Sequence, residues 1–186
     1  WKNTVKIGTG LINDKFSFDG RLSRIKSDGF IDRAASDLKS YFLSGAYHGK
    51  KDLLRLNVFA GSETTYQAWN GIPESRLNGD LAGMQAYINR NYLSEADASL
   101  LLNSGNRTYN SFTYKDQTDN YWQNHYQLLY ARQFNEQFSF NGALHYTDGR
   151  GYYEEFRTNQ KFSNYGLDNI DLGGSTLTRT DLIRRR

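Results

Sequence analysis

Imidazole is the side chain best suited to acid–base or metal chemistry near neutral pH, and this chain carries three: His48, His125 and His145. His48 stands beside the turn residues Gly49-Lys50-Lys51 and reads as a solvated group. His125 and His145 share one parity on two consecutive strand-like runs joined near Asn135-Glu136-Gln137. A turn of that length sets them about opposite Thr147 and Gln127, as near diagonal neighbours. With no third ligand at metal spacing, hydrogen bonding from a wall to an enclosed element is the expected role, and neither a metal nor a cofactor is expected. Glu154-Glu155 could gather cations, but a solvated loop accounts for the pair more simply. Gly149-Arg150-Gly151 is too short for a phosphate-binding fingerprint. No Ser-His-acid set or carboxylate pair stands out, so no residue is assigned a catalytic role and no enzyme is expected.

Aromatic side chains at strand ends make better ligand candidates. Tyr66, Gln67 and Trp69 follow one strand-like run, Tyr121 and Trp122 precede the next, and Tyr152 and Tyr153 end a third, with Arg150 and Arg157 nearby. Aromatic faces suit flat apolar ligands, catecholates and sugar rings alike, and the guanidinium groups suit an anionic one. An aromatic belt at a membrane interface uses the same residues at the same height, so both readings stand at this level.

The elements that would position these groups are strands. Phe16-Ser17-Phe18-Asp19-Gly20-Arg21-Leu22-Ser23 and Phe138-Ser139-Phe140-Asn141-Gly142-Ala143-Leu144-His145-Tyr146 alternate large apolar with polar or small residues, the period of a strand between two unlike surroundings. Seven such runs are expected: about Thr4 to Leu11, Lys15 to Lys26, Asp37 to Tyr47, Leu53 to Glu63, Tyr121 to Gln133, Gln137 to Tyr152, and an incomplete one from Leu177. Most reach the roughly 9–11 residues of a membrane strand, against about 5–6 in soluble sheets. Short connections at Asn13-Asp14, Gly49-Lys50-Lys51 and Asn135-Glu136-Gln137 alternate with long ones over Ser27 to Ser36, Thr64 to Asn120 and Glu154 to Thr176, the loop parity of outer-membrane barrels.

One parity collects Val5, Ile7, Phe16, Phe18, Leu22, Leu43, Leu56, Leu128, Phe140 and Leu144, with Arg24 and Arg132 only near strand ends. The other carries Arg21, Arg55, Asn57, Gln127, Asn141 and His145, expected to face a lumen or a plug. In the longest connection Leu77, Leu81, Met84 and Ile88 recur at helical spacing, and Ser94 with Asp97 could cap a second helix.

Composition agrees with this picture. Hydrophobic residues make up only 38% of the 186 while aromatics reach 15%, and a single Pro leaves long strands uninterrupted. A net charge of +3 is too small to argue for nucleic acid. No run approaches the roughly 18 apolar residues of a membrane helix, which leaves barrels untouched. The chain begins at Trp1 and stops inside a strand-like run, so it reads as a piece of something longer.

The stretches Gly20 to Arg33, Tyr66 to Pro73 and Asn141 to Glu154 resemble the barrel of TonB-dependent outer-membrane receptors of Gram-negative bacteria. That resemblance implies an all-β fold: an antiparallel up-and-down transmembrane barrel segment of about seven strands, residues 1–186, with a helical insertion in one extracellular loop. It implies import of a ferric siderophore or a similar scarce nutrient such as haem or cobalamin. It further implies outer-membrane lipid, a plug domain and the TonB complex as partners, the last two acting through parts absent from this sequence. A SusC-like glycan importer is the alternative within the fold. A soluble β-sandwich that binds carbohydrate is the alternative outside it, and requires Phe18 and Phe140 to be buried between two sheets.

Overall fold

The computed structural model describes all 186 residues. Seven strands form one antiparallel sheet in the order β1-β2-β3-β4-β5-β6-β9: β1 (Lys2–Gly8), β2 (Phe16–Ser27), β3 (Ser36–His48), β4 (Asp52–Tyr66), β5 (Thr118–Gln133), β6 (Ser139–Lys161) and β9 (Arg179–Arg185). The two end strands do not pair with each other, so the sheet is open. A small hairpin, β7 (Ile170–Asp171) with β8 (Thr176–Leu177), stands apart from it.

Chain contacts divide the molecule into two compact units. The first is Trp1–Asp28, Ala35–Thr65 and Asn120–Gly151; the second is Gly29–Ala34, Tyr66–Asp119 and Tyr152–Arg186.

The first unit is the sheet with its tight turns. Asn13 and Asp14 both take positive φ in a turn closed by the Lys15 amide donating to the Ile12 carbonyl, as expected of a primed hairpin turn. The strand expected up to Leu11 instead ends at Gly8. Ile12 pairs with Phe16 one step out of the β1–β2 register, so the intervening residues, including Gly10 at φ 65°, form a bulge. The β5–β6 turn is organised by Asn135, whose Oδ1 accepts from the amides of Gln137 and Phe138 at 2.9 Å each.

Register confirms the face assignment. Val5 pairs with Leu22, Leu22 with Tyr41, and Leu43 with Val58 on one face, while Ser44 pairs with Asn57 and Ala46 with Arg55 on the other. Phe18 is 52% exposed and Phe140 51%, and Ile7, Leu22, Leu43, Leu56 and Leu144 are exposed with them. No second sheet covers this face, whereas the β-sandwich alternative requires one. Each such side chain left in water forgoes about 1.5–3 kcal/mol of burial. Summed over the face that exceeds the roughly 5–15 kcal/mol by which a domain is stable, so the face requires an apolar covering. Some cations escaped the sequence reading: Lys39, directly opposite Arg24, and Lys26, two residues beyond Arg24 on β2, share the apolar parity near the strand end, and Arg150 shares it on β6.

The second unit holds the long connections. The β4–β5 connection contains α1 (Glu74–Leu77), α2 (Leu81–Asn91) and α3 (Glu95–Asn103). Asp80 caps α2 by accepting from the Gly83 amide, and Ser94 caps α3 by accepting from the Asp97 amide. Met84, Ile88, Leu101 and Tyr109 form the small core. Leu77 and Leu81, expected on the same buried stripe, are exposed. The chain breaks between them at Gly79, φ 69°, so Leu77 does not share a helix with Met84 and Ile88, while Leu81 is the exposed first residue of α2. The Arg76 guanidinium donates to the carbonyls of Leu102 and Ser104 at the end of α3 and to Asn106 Oδ1, where a cation meets the negative end of the helix dipole.

Candidate functional site

The residues singled out in sequence fall into three groups, best described unit by unit. In the first unit, Trp122 lines a groove of about 690 Å³ on the apolar face with Val5, Leu22, Tyr41 and Ala60, and the Arg150 guanidinium carbon stacks 5.4 Å from its ring centroid. Parity sets Trp122 and Arg150 on the apolar side, the placement expected of an aromatic belt, while the ligand role expected of them stays an expectation. Tyr121 belongs to the polar face and explains the glycines of Gly149-Arg150-Gly151. A Cβ on Gly149 would meet the Tyr121 hydroxyl at 2.6 Å, and one on Gly151 would meet the Asn120 carbonyl at 2.5 Å. The glycines admit the tyrosine across the strand pair, a packing role.

The polar face of the first unit brings most of its predicted members together. Asn57 donates to Gln127 Oε1 at 3.2 Å, while Arg55 Nε and Asn57 Oδ1 are buried without a partner. Arg21 lies opposite Lys6 on one side and Phe42 on the other. Asn141 and His145 are exposed on β6. Sequence reading missed the row that crosses this face. Phe42 and Phe59 face each other at 6.0 Å, Phe59 stacks on His125 at 4.5 Å, and His125 lies 5.5 Å from His145. The signal was present: Tyr41-Phe42-Leu43 and Val58-Phe59-Ala60 place an aromatic where alternation calls for a polar residue.

In the second unit Trp69 is 61% exposed and meets Tyr153 edge-on at 5.6 Å. Tyr152 carries the Arg185 guanidinium 5.1 Å from its ring centroid. Tyr66 donates to the Tyr114 carbonyl at 2.7 Å. Gln67, by contrast, is only 2% exposed. It donates to the Glu154 carbonyl, accepts from Gln117 Nε2, and its own carbonyl accepts from Asn110. It is a junction holding three segments, with its side-chain amide engaged by Glu154 and Gln117.

Glu154 and Glu155 also depart from expectation. Strand β6 runs on to Lys161, and both carboxylates are buried on it, one on each face. Tyr114 donates to Glu154 Oε1 at 2.7 Å and Arg185 to Oε2 at 2.6 Å; Arg184 and Arg157 pair with Glu155. Glu154 lies past the lipid-type alternation of its strand. The Tyr114 hydroxyl, then Arg185, hold its carboxyl below the usual carboxylate range, and the same bond pushes the Tyr114 hydroxyl up to about 12. A cation site here is already filled by the protein's own arginines.

With this geometry in hand the chain can be set beside known proteins. No protein-family model matches the sequence, and neither does any curated protein. Two solved structures are similar, both of the ferric-catecholate import receptor Fiu of Escherichia coli K12. The closed form aligns at TM-score 0.58 and 14% identity over 99% of this chain, and the open form at 0.58 and 15% over 99%. The likeness is one of fold: an antiparallel sheet that matches part of a barrel and is not itself closed. This chain spans about a quarter of the length of that receptor, 26% and 28% of the two chains.

Proposed function

We propose that this chain is a stretch of the wall of a TonB-dependent outer-membrane transporter that imports a ferric siderophore or a similarly scarce nutrient. The observation that carries the proposal is the exposed apolar face of a single uncovered sheet, whose natural covering is lipid. The alternation of tight turns and long connections supports it, as does the likeness in fold to a ferric-catecholate import receptor. On this reading the polar face, with Arg21, Arg55, Asn57, Gln127, Asn141 and His145, looks onto the lumen and its plug. Trp69, Tyr152 and Tyr153 offer aromatic surface to an incoming ligand, with Tyr66 tied to the Tyr114 carbonyl in the same unit. Trp122 and Arg150 anchor the wall at the membrane interface. Energy comes from the TonB complex through parts of the protein outside this chain.

The test is uptake of radiolabelled ferric catecholate by iron-limited cells with and without the full-length protein. Loss of uptake in the deletion, restored by the gene, is expected. Unchanged uptake and growth on all iron sources, or a protein that fractionates away from the outer membrane, contradicts the proposal.

A further inference from the structure

On the polar face of the first unit, three heteroatoms close into a triangle. His125 Nδ1 lies 3.3 Å from His145 Nε2 and 3.1 Å from Thr147 Oγ1, and Thr147 Oγ1 lies 2.9 Å from His145 Nε2. The other nitrogen of His125, Nε2, is 3.0 Å from Gln123 Oε1. An amide oxygen only accepts, so Nε2 carries the proton and donates, which leaves Nδ1 with its lone pair free in the neutral ring. Phe59 stacks on the same imidazole at 15° and fixes its plane.

We propose that His125, His145 and Thr147 bind a borderline divalent transition-metal ion, Zn²⁺, Ni²⁺ or Cu²⁺, through the two ring nitrogens, with the threonine hydroxyl at the third corner. Two nitrogens bound at about 2.0–2.1 Å to a tetrahedral ion stand roughly 3.3–3.4 Å apart, and at a square-planar angle roughly 2.9 Å. The observed spacing therefore meets the tetrahedral requirement without rearrangement of the backbone. Gln123 supplies the outer hydrogen bond that ligating histidines need for orientation. No further imidazole, thiolate or carboxylate completes the set, so the remaining positions are open to water or to a donor on a metal chelate. Arg21, which shares a groove with Phe59, Gln123 and His125, favours a chelate that brings negative charge. The site is thus built for exchangeable binding, not for holding the fold together. It rests on the first unit alone and stands whether or not the transport proposal does.

The experiment uses the untagged full-length protein in detergent, stripped with chelator, then titrated with Zn²⁺ against a chromophoric competitor and with Cu²⁺ by electron paramagnetic resonance. One equivalent that is lost in the His125→Ala/His145→Ala double variant is expected, with copper superhyperfine structure from two imidazole nitrogens. His125→Ala and His145→Ala each reduce that to one nitrogen and weaken Zn²⁺ by at least about 10-fold. Gln123→Leu keeps both ligands yet weakens Zn²⁺ by about 10-fold. His48→Ala, whose ring meets Ser17 elsewhere, changes nothing. Heat-modifiable migration on gels confirms that each variant is folded. A wild type that binds no ion, or a His125→Ala/His145→Ala double variant that binds with unchanged affinity, overturns the proposal.

Discussion

Glu154 shows how a single carboxylate can tie connections together. Its two oxygens accept from Tyr114 and Arg185, and its carbonyl accepts from Gln67. Because its pKa is lowered in the folded state, by Tyr114 first and Arg185 second, its contribution is fully present above the ordinary carboxylate value of about 4.3. That contribution is lost as pH falls through the lowered folded value. Hydrogen exchange of the Tyr153 to Arg157 amides, corrected for intrinsic rates, is expected to show protection that holds from pH 7 to about 5 and drops below about 4. Glu154→Gln should remove that acid step; protection in the wild type that stays flat down to pH 3 would refute the mechanism. Nothing in the local sequence announced this junction. Glu154 pairs with residues 31 and 40 positions away, and the hydrophilic Glu-Glu pair read naturally as loop because only tertiary partners make its burial tolerable.

At the level of elements, strands were legible and the insertion half so. A strand with unlike faces declares itself by period two, which is why the runs around Phe18 and Leu56 emerge directly and why their register follows once parity is known. Ser94 was legible as a cap because its mechanism is local. The apolar stripe from Leu77 to Ile88 misled, because helical spacing carries no sign of the break at Gly79. Phe42 and Phe59 stayed hidden for the opposite reason: the alternation fitted well enough around them for an aromatic on the polar face to pass unremarked. The small core under the helices is also the weak part of the second unit. Leu101 is fully buried, packed with Met84, Ile88 and Tyr109, so Leu101→Ala should destabilise that core by about 2–5 kcal/mol. Measured by hydrogen exchange, the loss should appear in α2 and α3 and leave β2–β4 amides as protected as before. Equal loss of protection in β2 and β3 would show that the two units unfold as one, contrary to this account.

For the whole molecule, everything rests on which solvent meets which face. The register puts Leu43 and Leu56 on the apolar side and Ser44 and Asn57, their immediate neighbours in sequence, on the other. These 186 residues contain no cysteine, so, once any cysteine elsewhere in the full-length protein is replaced by serine, spin labels can be placed singly at these four positions in that protein reconstituted into lipid vesicles. The decisive measurement is the collision rate of each label with oxygen, which concentrates in lipid, against a polar nickel chelate confined to water. Labels at Leu43 and Leu56 should favour oxygen and labels at Ser44 and Asn57 the nickel chelate or neither, alternating residue by residue. Labels at Leu43 and Leu56 that collide freely with the nickel chelate, or four labels with no alternation, would contradict the lipid-facing wall.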